Sequence, residues 1–288
     1  MTAPVTQAET LASMLLAAGE GARFFGATQF PGLDCLTATF RTHVYAPHTH
    51  ETYVVGTVHA GCETWSARGV QHYAGPGDVL FNLPLDVHDG APFGDGYSYR
   101  MTYPTVAFMR QVASGVCGHL VSATPTFKAS VVHDPLGARL FADAHTALER
   151  GLDALAGEEL LLRAYARMLA LHADIRPATL GREPGPIARV REAIEQRYAE
   201  SLMLTELAQI ARLSTYHLIR AFRAEIGLTP HAYLVDVRVR RARDLLRVGQ
   251  APAEVALGVG FADQAHLTRA FKARIGVTPG AYRRALRG

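Results

Sequence analysis

Six histidines fall between residues 41 and 90: His43, His48, His50, His59, His72 and His88. His48-x-His50 follows Pro47 at the end of an expected strand, and His88 follows a Gly75-Pro76-Gly77-Asp78 turn, a second strand and Pro84. Imidazoles brought together this way suit two tasks: ligating a transition metal, or lining a polar pocket for a small organic molecule. Tyr53 and Trp65 lie in the same stretch and would complete such a pocket with His48, His50 and His88. A plainer use is that His48 and His50 only bridge strands by hydrogen bonds. No nucleophile–base–acid set stands out and no Gly-rich phosphate loop is present, so no enzyme is expected.

A second chemistry is read from charge. Residues 187–288 hold 17 Lys+Arg against 9 Asp+Glu, whereas residues 1–186 hold 12 against 17. A basic C-terminal third on an acidic remainder points to a polyanion partner for that third alone. Lys128 and Lys272 are the only lysines. Arginine otherwise carries the positive charge, and its planar fork suits phosphates and guanine edges. A GC-rich genome would also favour arginine, but would not explain the split of charge.

The elements that must position these groups differ between the two parts. From Phe24 to about Tyr103, β-branched and aromatic runs such as 52–58 and 78–82 alternate with Gly, Pro and Asp turns, which predicts short antiparallel strands in a sandwich or barrel. From Pro104 the spacing becomes helical, with helices predicted over 106–116, 136–149 and 154–173. Leu155, Leu162 and Leu169 form a stripe on the third, a candidate dimer face or plain core. Leu11 to Ala18 reads as a short amphipathic helix, not a signal peptide, and no apolar run reaches the roughly 18 residues of a membrane span. Cys35, Cys62 and Cys117 are too scattered for a disulfide framework. Residues 175–186 carry three prolines and two glycines and read as a linker that no helix continues through. The expected division is 1–174 (strands about 23–103, helices about 106–173), the linker, and 187–288.

The C-terminal part is a duplication. Residues 214–233 and 263–282 align at an offset of 49, with His217/His266, Leu218/Leu267, Arg220/Arg269, Phe222/Phe271, Gly227/Gly276, Pro230/Pro279 and Tyr233/Tyr282 coinciding. Ser214 and Asp263 are expected N-caps, Gly227 and Gly276 left-handed C-caps, and each Thr-Pro opens a further helix. Helix, tight turn, helix is the layout that sets a second helix into a DNA major groove. The units are expected over about 204–225 and 253–274, joined by one long helix from Pro230 to Val248.

The block from Ile187 to Leu286 resembles the DNA-binding domain of the AraC/XylS family of transcription regulators. The run Gly260-Phe261-x-Asp263-Gln264-x-x-Leu267-x-Arg269-x-Phe271-Lys272, continued by Gly276-x-Thr278-Pro279-x-x-Tyr282-Arg283, carries the resemblance. It implies recognition helices in successive major-groove segments, roughly 34 Å apart. It implies base-reaching positions at Tyr216, Ile219 and Arg220, and at Gln264, Ala265, His266 and Arg269; Ile219 and Ala265 offer only thymine-methyl contact. Ser214, Thr215, Arg223 and Lys272 are expected on phosphates. His217 and His266 recur in both units, which equally suits a shared packing role.

The order His48-x-His50, Gly75-Pro76-Gly77-Asp78, His88 resembles the motifs of the cupin barrel. In metal-binding cupins these three histidines and a carboxylate after the first strand would be the ligands. Glu51 adjoins His50 and so faces the other way, and Glu63 lies beyond an expected turn at Gly61. The implied picture is an α+β multidomain chain. A cupin-like antiparallel β-barrel with flanking helices precedes an all-α domain of two helix-turn-helix units. It would act as a cytoplasmic, effector-responsive activator that binds double-stranded promoter DNA and RNA polymerase and pairs as a homodimer through its N-terminal domain, with an unidentified small-molecule effector and no cofactor or membrane. The alternative is a metal-dependent cupin enzyme or metal sensor fused to a DNA-binding domain.

Overall fold

The computed structural model describes residues 16–27, 29–151, 153–178 and 184–285. Most of the short helix expected over 11–18, and the middle of the expected linker, lie outside them. The described chain forms two compact units, residues 1–150 with 160–178 and residues 151–159 with 179–288. No described helix is long and apolar enough to cross a membrane.

The first unit is one antiparallel sheet with helices. Its strands are β1 (Gly21–Gly26), β2 (Asp34–Phe40), β3 (Tyr45–His48), β4 (Val54–Ala67), β5 (Val70–Ala74), β6 (Asp78–Asn82), β7 (His88–Tyr103) and β8 (Val131–His133). The ladder runs β1-β2-β7-β4-β6-β8, with β3 added on β7 and β5 on β4. It therefore ends at β1 and β8 among the described residues. β8 falls inside the stretch expected to be helical; its three residues are too few to show a period of two.

β4 and β7 organise the unit because each is long enough to pair with several neighbours. β4 has buried Val54, Val55 and Val58 at its start, and from Cys62 alternates so that Glu63, Trp65 and Ala67 turn inward. Gly61 makes the change of register possible. Its φ is +71°, and a Cβ there would stand 1.9 Å from the Gly96 carbonyl oxygen, so only glycine fits. The expected turn at Gly61 is thus a bulge inside a continuing strand. The inner face packs Leu36, Phe40, Val58, Trp65, Leu80 and Met101 into the main core.

Three helices follow in sequence: α1 (Val106–Cys117), α2 (Pro135–Arg150) and α3 (Ala154–His172). Thr105 caps α1 by accepting the Phe108 N–H at 3.1 Å. Asp134 accepts from Arg167 at 2.8 Å and from His172 at 3.1 Å, fixing the end of β8 to α3. The leucine stripe of α3 is not an outer face: Leu155, Leu162 and Leu169 are 1%, 6% and 0% exposed within the single chain. Its role is core packing, not a dimer surface.

The second unit contains α4 (Pro184–Gln196), α5 (Leu204–Ala211), α6 (Thr215–Ile226), α7 (Pro230–Arg247), α8 (Pro252–Gly258), α9 (Gln264–Ile275) and α10 (Pro279–Ala285). α4 begins three residues earlier than expected. Pro184 and Pro186 occupy its first turn, where a missing N–H breaks no helical hydrogen bond. Residues 151–159 also pack here, against the expected boundary at 174. Glu158 accepts the Leu204 N–H at 2.6 Å and Glu159 the His231 N–H at 3.0 Å, so two carboxylates cap the starts of α5 and α7.

Candidate nucleic-acid interface and sensor pocket

The two halves of the duplication fold alike because they repeat the same caps and packing. Ser214 accepts the His217 N–H at 3.2 Å to open α6, and Asp263 accepts the His266 N–H at 2.6 Å to open α9. Gly227 at φ +82° and Gly276 at φ +87° end them. Leu218, Phe222, Leu267 and Phe271 are fully buried. Phe222 meets Tyr233 with ring centroids 5.6 Å apart, and Phe271 meets Tyr282 at 5.5 Å, an identical contact at the same offset.

What remains outside differs between the halves. On α9, Gln264, Ala265, Arg269 and Lys272 are exposed. On α6, Ser214 and Arg223 are exposed, while Thr215, Tyr216 and Arg220 are half-buried, with the Arg220 guanidinium 5.4 Å above the Tyr216 ring. That stacking braces both side chains on one surface.

Two expected base readers do not fit. Ile219 is 3% exposed and belongs to the core beneath α6, since it falls one helical turn from Phe222 on the inward side. His266 packs edge-on against Phe261 at 5.0 Å, and burial, ahead of the neighbouring charges, holds its imidazole below the usual histidine range. Its ring is a packing element. The sequence reading missed Thr268, half-exposed on α9 and the counterpart of Ile219 at the offset of 49. The duplication itself was the signal that could have found it.

The positive charge is also not uniformly available. Arg238 is 4% exposed and donates to the carbonyls of Tyr198 at 2.7 Å and Glu200 at 2.8 Å. Arg197 is held by Glu200 and Glu206, and Arg240 by Asp236. These arginines build the unit.

In the first unit the sheet encloses a cavity of about 40 Å³. His48, at the end of β3, pairs in register with His88, at the start of β7. Ring centroids lie 4.8 Å apart for His48 and His50, 4.6 Å for His48 and His88, and 5.2 Å for His50 and His88. Trp65 joins them on the wall and donates its indole N–H to the Asn82 side-chain oxygen at 3.2 Å. Four of the five expected pocket residues therefore meet. Tyr53 does not: it is fully buried on the other side of the chain, donating to the Pro125 carbonyl at 2.7 Å, and Val54 takes the inward position.

Two ring tautomers are fixed. The Nδ1–H of His48 donates to the Ala46 carbonyl at 2.8 Å, and that of His88 to the Asp86 carbonyl at 2.9 Å. Because a carbonyl only accepts, Nδ1 of each ring is the donor, and the Nε2 of each is left to face the cavity. The Nε2 atoms of His48 and His50 stand 3.1 Å apart. Burial, then the nearby imidazoles, holds His50 at about 4, and burial also holds His88 below the usual histidine range.

Glu63 lines the same cavity, which overturns the expectation that Gly61 carries it away. It is 7% exposed, burial pushes its acid up to about 8, and its Oε2 has no hydrogen-bond partner. Tyr45, Asn82 and Tyr99 are further lining residues absent from the sequence reading.

Comparison with known proteins follows this division. An AraC-like ligand binding domain matches residues 30–165, and a helix-turn-helix domain matches residues 207–285. The uncharacterized HTH-type transcriptional regulator YbfI of Bacillus subtilis is 29% identical over 76% of this chain and 79% of its own. The Msm operon regulatory protein of Streptococcus mutans is 22% identical over 77% of this chain and 81% of its own. Among solved structures, the DNA-binding domain of the global transcriptional factor AdpA, in complex with a target DNA, is 32% identical over 35% of this chain and 93% of that one, with a TM-score of 0.34. The sheet unit and the duplicated helical unit thus match the two domains of one kind of protein, and the chain belongs to the AraC/XylS family of DNA-binding transcription regulators.

Proposed function

We propose that this regulator is a non-enzymatic, effector-responsive activator. α6 and α9 enter neighbouring major-groove segments of promoter DNA, and the histidine-lined cavity receives the effector. The single observation that carries the reading is the pair of identically capped and packed helices whose outer side chains differ. Tyr216 and Arg220 read through α6; Gln264, Ala265 and Arg269 read through α9; Thr268 stands within reach of a base edge. Ser214, Thr215, Arg223 and Lys272 hold the backbone. His48, His50, Trp65 and His88 form the effector wall. The regulator works in the cytoplasm, contacts RNA polymerase and pairs as a homodimer through its N-terminal domain. With the leucine stripe buried, pairing would use side chains such as Leu136 and Leu171, both exposed.

Selection of random double-stranded DNA by the full-length chain tests the reading. A recovered site with two unlike half-sites about one helical turn apart is expected. Recovery of no consensus, or of one that survives replacement of both Arg220 and Arg269 by alanine, would overturn it.

A further inference from the structure

We infer that the sheet cavity binds a small organic cation, an ammonium or amidinium head group that donates its N–H bonds to Glu63. The inference rests on the reading of this cavity as the effector site and gives that effector a chemical class. Glu63 is 7% exposed, lines the cavity, and its Oε2 has no hydrogen-bond partner. An unpaired buried carboxyl oxygen is costly, so a fold that keeps one has a use for it. The Tyr97 hydroxyl is near enough to favour the charged form of the acid but makes no hydrogen bond itself.

The rest of the wall selects the sign of the charge. Among the described lining residues there is no arginine or lysine, and Asp89 is a second acid. Asp89 is tied to the Ser66 N–H at 2.5 Å, so Glu63 carries the unpaired oxygen. Tyr45, Trp65, Tyr99 and Tyr103 line the same space, and aromatic faces attract cations where water is excluded. A neutral His88, with its Nδ1–H spent on the Asp86 carbonyl, offers Nε2 as a further acceptor. A carboxylate or phosphate in this cavity would meet two acids with no cationic side chain to offset them.

Volume limits what enters. One water needs roughly 10–15 Å³ of such space, and the cavity has about 40 Å³. It takes about three or four heavy atoms, the size of ethylammonium or an amidinium, and not a sugar ring. A longer effector would place only its cationic head inside. Burial pushes the empty acid up to about 8, so near neutral pH the arriving cation takes the place of the carboxyl proton, which leaves to solvent.

The test follows Trp65 emission in the full-length chain at constant ionic strength, since Trp65 is the sole tryptophan and lines the cavity. Acetamidinium, acetamide and acetate are the probes, alike in size and planar shape and unlike in charge, with ethylammonium as a second cation. Expected are saturable emission changes with both cations, in the roughly millimolar range for so few atoms, and none with acetate. Glu63→Gln keeps the shape of the side chain and removes its charge. It should weaken both cations roughly 10- to 100-fold while leaving Trp65 emission before ligand unchanged. Asp95→Asn, which removes an exposed acid, should change nothing. No response to either cation, or full cation binding by Glu63→Gln, would overturn the inference. Tighter binding of acetate or acetamide than of acetamidinium would also overturn it, while leaving the cavity an effector site. The order of the probes on the wild-type chain decides the matter even if the variant does not fold. Cation binding that depends on Glu63 yet leaves DNA affinity unchanged would uphold the site and reject its regulatory reading.

Discussion

At the scale of the residue, α6 and α9 separate buried from exposed positions that sequence spacing runs together. Arg269 is exposed on α9, and replacing it by alanine is expected to cost roughly 1–3 kcal/mol and relax preference at one base pair, read by competition with singly substituted sites. Lys272→Ala should instead weaken all sites alike and lower the salt slope by about 1. Ile219 is the informative contrast. As a core side chain, Ile219→Ala should lose about 2–5 kcal/mol in denaturant unfolding. A variant of unchanged stability with altered base preference would return Ile219 to the reading surface. The sequence made these positions legible as a set, because the duplication and caps fix where each helix starts. It did not show which side of α6 faces inward at Ile219, since an isoleucine suits a core and a thymine methyl equally.

At the scale of the element, β4 shows where reading from sequence stopped. The motif order suggested a pocket using some of His48, His50, Tyr53, Trp65 and His88, and the sheet brings four of these five together. Gly61 looked like a strand end and is a bulge, and that single difference moved Glu63 into the cavity. Tyr53 fails by the same logic: one residue of parity sends it outward and Val54 inward. Gly61→Ala is therefore expected to destabilise the unit by roughly 2–4 kcal/mol, from left-handed strain plus the carbonyl clash, and to red-shift Trp65 emission. α2 carries a second testable feature. His145 is fully buried, its Nδ1 accepting from Arg100 at 3.0 Å and its Nε2–H donating to the Met101 carbonyl at 3.1 Å. Phe25 and Phe141 face the ring, and Glu149 shares Arg100. Burial, then the Arg100 charge, holds His145 at about 4. An unfolded chain would protonate this ring near 6.5, so between those values the unfolded state binds the extra proton. Stability present at neutral pH is then lost as pH falls from about 6.5 to 4, on the order of 3 kcal/mol from this one group. Trp65-detected unfolding of His145→Gln should show a shallower loss over that window; an unchanged slope would reject the assignment.

At the scale of the molecule, the division of charge was visible in composition, but its meaning was only partly so. Arg238 is buried in the second unit, and Arg197 and Arg240 are paired with carboxylates at its surface, so the phosphate-binding charge is smaller than the count suggests. The salt dependence of DNA binding should accordingly report fewer ions released than the 17 basic residues of that third. A slope approaching the full basic count would mean that these pairs open on DNA. The docking of residues 151–159 against α5 and α7 had no sequence signal, because Glu158 and Glu159 look like ordinary helix-surface acids. Glu158→Gln and Glu159→Gln should each lower stability by roughly 0.5–2 kcal/mol, measured by circular dichroism melts.

The matched Phe222–Tyr233 and Phe271–Tyr282 contacts carry one more consequence. They make the two halves interchangeable as scaffold while leaving them unlike as readers, so a bound chain has a head and a tail along the duplex. A site copied backwards into a promoter keeps every base pair and still turns the protein around. The face offered upstream would then be the one meant for downstream, and the orientation of the site, not only its sequence, becomes part of the regulatory instruction.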